Sequence, residues 1–343
     1  MGIAWHHPLA TARVKQIAAQ LAPIVVADGA RRAYLSGPAL AGLATAHAEI
    51  EACVVTDSPW RVRRRRDPVL ADGRPVTIRY VTFDEFSSQC VSLLGSEPEL
   101  STLCDLQQAA RFLLGQDVID DDGALEALRK TLDANAEALI DTAVSTLAKE
   151  ATTAIQTCFD ILDTRDTKDA LRIAQDACLS ATDALLASHG DLYLGTAWLR
   201  PRWARTFRTP FPELPDSDSL WEEPFCERAA LLYQDLLVQA VTGTTYASTR
   251  HVLPGTYRRD PAVTLVPDPG TEDIRVLKGR RPLSALSPLS LLLWGVAHGR
   301  ERRDALAETL RLAEGRASID DLSHQFDRLV DIGMLQYGCW QPD

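Results

Sequence analysis

Residues 122–162, "DGALEALRKTLDANAEALIDTAVSTLAKEATTAIQTCFDIL", place apolar residues three and four apart for turn after turn. That spacing keeps one face of an α-helix apolar and excludes strands, whose side chains change face at every residue. Residues 167–190, "TKDALRIAQDACLSATDALLASHG", repeat the pattern and end on Gly190, a suitable C-terminal cap. The proline-bearing stretch "TPFPELPDSDSLWEEPF" interrupts the helices before a last one, "CERAALLYQDLLVQAVTG". Residues 101–248 are therefore predicted to be a helical bundle.

The flanking segments read differently. Residues 1–100 are expected to form a small mixed sheet. "ARVKQIAAQLAPIVV" spaces Val14, Ile17, Leu21 and Ile24 for a helix, followed by the strand "RRAYLSG", a helix "PALAGLAT" and the strand "EIEACVVT". "PVLADGRPVTIRYVTFDEF" is a hairpin turning at Asp72-Gly73. Residues 249–343 predict three short strands within "AVTLVPDPGTEDIRVLKGRRPLSALS", then three helices each ended by glycine, with Ser318 as the N-cap of the third. The fold class is α+β: a mixed-sheet domain, a helical bundle and a three-strand, three-helix winged-helix domain.

Charge and cysteine usage narrow the function. The net charge of −11 belongs to the middle: residues 101–248 carry 12 basic and 24 acidic side chains, against 11 and 10 before them and 13 and 13 after. An acidic centre is a poor platform for nucleic-acid phosphates, so no nucleic-acid partner is expected. No apolar run reaches the length of a membrane span, no secretion signal is visible, and no membrane partner is expected. Seven cysteines stand singly without a C-x-x-C pair, which points to a reducing cytoplasm rather than to disulfides or zinc. The basic run "WRVRRRR" (60–66) is expected to be a solvated loop near the cleft, and Asp120-Asp121-Asp122 before Gly123 a turn and helix cap.

The order of motifs in residues 12–248 resembles the DNA-polymerase-β-like nucleotidyltransferase superfamily, in which a Gly-Ser turn opens a helix before a D-x-D strand and a third acid. Gly37-Pro38 stands at the Gly-Ser position and Glu49-x-Glu51 at the D-x-D position, while "HGDLYLGTAWLRPRW" is similar to the helical-domain signature. The resemblance implies a nucleotide site at Ser36 and Gly37, with Glu49 and Glu51 as catalytic metal ligands. The departures weigh against that chemistry. Glu is longer than Asp by one methylene, roughly 1.5 Å, and Mg²⁺ demands near-ideal octahedral geometry. Pro38 lacks an N–H for phosphate, although it suits the first turn of a helix. Thr77 and Arg79 occupy the strand of the third acid, and Ala197 precedes Trp198 where a lysine is usual. Together these changes point to a pseudoenzyme, with no cofactor expected; an active site would instead use Mg²⁺ and an NTP.

The C-terminal segment, about residues 260–338, resembles PqqD and related recognition elements for RiPPs, ribosomally made and post-translationally modified peptides. "LSPLSLLLWGVAHG" and "FDRLVDIGMLQ" supply Trp294, Gly299, Leu329, Gly333 and Leu335 at the family's points. The resemblance implies that a leader peptide adds a strand to the third strand and lies on the third helix. Leu283, Ser284, Ala285, Leu286, Ser323 and Asp327 are then the peptide-binding candidates. Leu322, Phe326, Leu329 and Val330 have core spacing. A DNA-binding winged helix is disfavoured, because the third helix opens with two acids and holds one Arg. The chain is expected to bind a precursor leader peptide and present it to other biosynthetic enzymes. The alternative is an active Mg²⁺-dependent nucleotidyltransferase acting on the peptide or on a small molecule.

Overall fold

The computed structural model describes residues 11–43, 50–57, 68–95, 102–162, 167–214, 225–248, 252–267, 273–279 and 281–338. In chain order the elements are α1 (Thr11–Ala27), β1 (Arg32–Ser36), β2 (Ile50–Thr56), β3 (Val69–Ala71), β4 (Arg74–Thr82), α2 (Phe83–Ser92), α3 (Thr102–Leu113), β5 (Gln116–Asp120), α4 (Ala124–Ala134), α5 (Ala136–Leu162) and α6 (Thr167–Ser188). They continue with α7 (Leu199–Phe207), α8 (Phe225–Thr242), β6 (Tyr257–Arg259), β7 (Val263–Pro267), β8 (Ile274–Lys278), β9 (Arg281–Leu286), α9 (Pro288–Ala297), α10 (Arg302–Leu312), α11 (Ile319–Asp331) and β10 (Leu335–Tyr337). The class is α+β. The chain gathers into two compact units, one of residues 1–143 and 189–209, the other of 144–188 and 210–343. Residues 101–248 contribute to both.

The first unit is built on a five-stranded mixed sheet in the order β3-β4-β2-β1-β5. Its hairpin turns at Asp72-Gly73, both at positive φ (49° and 70°), as a tight two-residue turn requires. Helix α1 buries Val14, Ile17, Leu21 and Val25 against alternate residues Leu35, Ala52, Val54 and Ile78 of the sheet; Ile24 is only partly buried. On the other face the rings of Tyr34, Phe86 and Phe112 meet with centroids 4.9–5.9 Å apart, seating α2 and α3.

Two elements depart from expectation. β5 was not anticipated: its sequence, Gln-Asp-Val-Ile-Asp, is polar enough to read as a loop, and it survives as a half-buried edge strand beside β1. Residues 38–42 form turns instead of the expected helix. Leu43 N–H reaches back to Pro38 C=O, and Gly42 at φ 81° breaks the helical path. The triple aspartate behaves as the sequence suggests. Asp120 accepts from the backbone N–H groups of Leu125 and Glu126 at the start of α4, and Asp122 pairs with Arg32 at 2.6 Å.

The second unit packs the rest of α5, α6 and α8 with the antiparallel sheet β7-β8-β9, a two-stranded sheet of β6 and β10, and helices α9 to α11. Gly299, Gly315 and Gly333 take positive φ just past the three helices, and Ser318 Oγ accepts from Asp321 N–H as N-cap. Trp294 is fully buried and its Nε1–H donates to Met334 C=O at 3.0 Å, tying α9 to the end of the chain's last helix. Gly295 allows α9 to approach α8 closely: a Cβ there would collide with the Tyr246 hydroxyl and lie 2.8 Å from Val238 Cγ1.

Burial, followed by the charges of Arg259, Arg258 and Arg300, pushes the His298 imidazole down to about 3. Its Nδ1 accepts the Arg259 N–H, which requires the neutral ring. The unfolded chain takes a proton near pH 6.5 that the native state refuses, so stability is complete above that pH and falls as pH drops toward 3. His298→Gln is expected to flatten this acid limb. Urea midpoints at pH 7 and pH 4.5 check it, and equal drops in the parent and the variant would refute the assignment.

Candidate functional site

Cross-strand register assembles the first unit's site. Ser36 of β1 lies opposite Glu51 of β2, which faces Thr77 of β4; one pleat along, Tyr34, Cys53 and Arg79 form the next row. Side-chain alternation puts all six on the face away from α1. Helix α3 brings Cys104, Gln107, Gln108 and Arg111 over that face. With Tyr34, Ser36, Glu51, Cys53 and Arg79 they line a cavity of about 220 Å³.

The charges inside are mixed, with cations in excess. Arg111 Nη1 lies 3.5 Å from Glu51 Oε2, a loose pair in which both side chains are about one-third exposed. Arg79 Nη2 donates to Gln108 Oε1 at 2.8 Å and has no ion-pair partner among the described residues. Burial pushes the Cys53 thiol up to about 11, and Cys90 below it up to about 12, so neither supplies the thiolate a nucleophile needs. Tyr193, from the segment "HGDLYLG", is 3% exposed beside Arg111 and Glu51, and burial pushes its hydroxyl up to about 12.

That segment is held by a buried ion cluster. Asp191 accepts from Arg202 Nε at 3.0 Å and from Arg205 Nε and Nη2 at 2.9 and 2.6 Å. Arg205 Nη1 also donates to Ala41 C=O in the turn after Gly37, so the cluster fixes the loop leading away from Ser36.

The structure thus brings Ser36 and Glu51 together. Gly37 follows at φ 126°, and its carbonyl accepts from Leu40 N–H at the start of the turns. Glu49 and the basic run 60–66 lie outside the described residues. Thr77 is exposed, and Ala197 is exposed away from the cavity lining. Among the described residues, which leave out Glu49, the donors do not make up a catalytic Mg²⁺ pair. Glu51 already serves Arg111, Arg79 enters the same space, and no group of three His, Cys, Asp or Glu among the described residues is placed to hold a metal. Sequence reasoning missed Gln107, Gln108 and Arg111. The available signal was the polar stripe of α3 opposite its buried Leu106, Ala110 and Phe112.

In the second unit, among the described residues β9 pairs with β8 alone and forms one edge of its sheet. The other edge is occupied by side chains. Leu265 N–H of β7 donates to Tyr233 Oη, Thr152 Oγ1 donates to Leu265 C=O, and Gln234 Nε2 donates to Val263 C=O. Leu283 and Ser284 are half-buried and Ala285 is exposed, whereas Leu286 is 1% exposed and belongs to the core. Arg328 of α11 donates to Ser284 Oγ at 2.7 Å, linking edge strand and helix. Leu322, Phe326 and Leu329 are buried and Val330 partly so. Ser323 is half-buried, and the exposed Asp327 pairs with Arg302 at 2.7 Å. A separate, more open groove of about 710 Å³ runs beside α10 and is lined by Tyr257, Arg302, Leu306, Leu310, Ile319 and Tyr337; none of the expected peptide residues borders it.

No helix among the described residues is long and apolar enough to cross a membrane. No family model matches the chain, and no curated protein matches it. Among solved structures, the nucleotidyltransferase-like protein from Exiguobacterium sibiricum 255-15 is similar at 12% identity over 66% of this chain and 76% of that one, with a TM-score of 0.36. At that score the α+β fold and its sites stand on this chain's own residues.

Proposed function

We propose that the protein captures the leader segment of a RiPP precursor peptide on the second unit and presents it to partner enzymes, with the first unit a nucleotidyltransferase-like body that no longer performs metal-dependent transfer. The observation that carries the reading is the asymmetry of the β7-β8-β9 sheet. Helix side chains occupy the backbone groups of β7, while β9 leaves an edge beside α11 on which an extended peptide can add a strand. Leu283 and Ala285 present side chains along that edge, and Ser323 and Asp327 flank it from the helix. The cation-rich cavity of the first unit supports the non-catalytic reading of the body, because Arg79 and Arg111 oppose a divalent ion next to Glu51.

Fluorescence anisotropy tests this with labelled synthetic peptides covering the short open reading frames beside the gene. One is expected to bind equally well in Mg²⁺ and in EDTA. Leu283→Asp with Ala285→Asp, which charge the edge without touching the core, should weaken it about tenfold or more. If none of those peptides binds, the reading fails. A gain in peptide mass on incubation with NTP and Mg²⁺ would establish the enzyme instead.

A further inference from the structure

The cavity between the first unit's sheet and α3 has the wrong charge for a metal and the right one for an anion. Two guanidinium groups enter it, and Glu51 offsets only one, at a loose 3.5 Å. A guanidinium presents paired N–H donors that match a carboxylate or phosphate, and Arg79 spends one of its donors on Gln108. Because Gln108 accepts there through Oε1, its amide NH₂ remains to donate; Gln107 and the Ser36 hydroxyl add further donors. The Tyr193 hydroxyl lies buried beside Arg111, outside the cavity lining, and backs that guanidinium without facing the cavity.

We propose that this cavity binds an oxyanion, a phosphate monoester or a carboxylate group, directly through Arg79 and Arg111, with the Gln108 amide and the Ser36 hydroxyl as further donors, and without a divalent metal. At about 220 Å³ it accommodates the anionic group itself and is below the usual size of a pocket for a whole drug-sized ligand. The remainder of a larger ligand would extend through the open side, where Arg79 is exposed. The site makes no use of β9 or α11, so it stands or falls separately from peptide capture.

Calorimetric titration of the full chain with inorganic phosphate and, separately, with acetate tests the site, at constant ionic strength in EDTA. Saturable binding of at least one is expected, and the stronger of the two identifies the phosphate or the carboxylate source. Arg79→Gln and Arg111→Gln should each weaken it about tenfold or more. The two arginines are partly exposed, so their variants should keep the parent's melting curve. The absence of saturable heat with both anions, a requirement for Mg²⁺, or parental affinity in both arginine variants would overturn the proposal. The peptide anisotropy assay on the same samples separates its failure from failure of the peptide reading.

Discussion

Asp191→Ala is expected to destabilise the first unit by about 3–5 kcal/mol, the usual cost of leaving buried charges without their partner. Arg202 is fully buried and Arg205 largely so; both point at one carboxylate that is 4% exposed. Removing it takes away the carboxylate to which both guanidinium groups donate and leaves their mutual repulsion less offset in a medium that screens poorly. The effect should also travel. Arg205 donates to Ala41 C=O, so its release is expected to raise amide exchange at Leu43, whose N–H closes the turn on Pro38. Urea unfolding together with hydrogen exchange measures both effects. Asp176→Ala, which breaks an exposed pair with Arg172 at 3.5 Å, is the control and should change stability by less than about 0.5 kcal/mol. A loss below about 1 kcal/mol for Asp191→Ala would show that solvent or a rearranged partner satisfies the arginines.

Asp191 also illustrates what a sequence conceals. Its partners lie 11 and 14 residues away across a turn, a spacing with no periodic signature, so the segment was legible only as a resemblance. Periodic elements were legible throughout. The three strands and three glycine-ended helices of residues 263–333 stand where alternation and capping residues predict, because local chemistry and burial agree there. Where they disagree, the sequence misleads. β5 is too polar to announce itself, and its place at the sheet edge comes from pairing with β1 rather than from its own apolar content. "PALAGLAT" has helix-forming residues, yet Gly42 turns the chain. For the candidate site, Ser36 and Glu51 were named through the resemblance, and Arg79 as a departure from its third acid. The polar stripe of α3 was visible in the sequence, but only tertiary packing sets its Gln107, Gln108 and Arg111 over that face.

The same reasoning applied to the second unit gives an equally large and more discriminating expectation. Arg259 is fully buried, with Nη1 2.7 Å from Asp235 Oδ1, Nη2 donating to Leu231 C=O, and its guanidinium 5.3 Å from the Trp294 ring centre. Tyr246 donates to the same Asp235 oxygen at 3.2 Å, and Gly295 keeps α9 close enough for this packing. The pair therefore joins α8, β6 and α9, the elements against which β7 and the rest of its sheet are held. Asp235→Ala is expected to cost about 3–5 kcal/mol, because Arg259 is left charged in an apolar interior. Replacing both members by apolar residues of similar size, Asp235→Leu with Arg259→Met, removes the desolvation cost together with the attraction. It should recover most of the loss, to within about 1–2 kcal/mol of the parent. Urea unfolding of the single and double variants closes the cycle. If the double variant is as unstable as Asp235→Ala, the cluster holds the three elements through hydrogen bonds that no apolar packing replaces. Under the proposed function, peptide affinity in the anisotropy assay should also fall with stability, since β9 is positioned through the sheet that this cluster anchors.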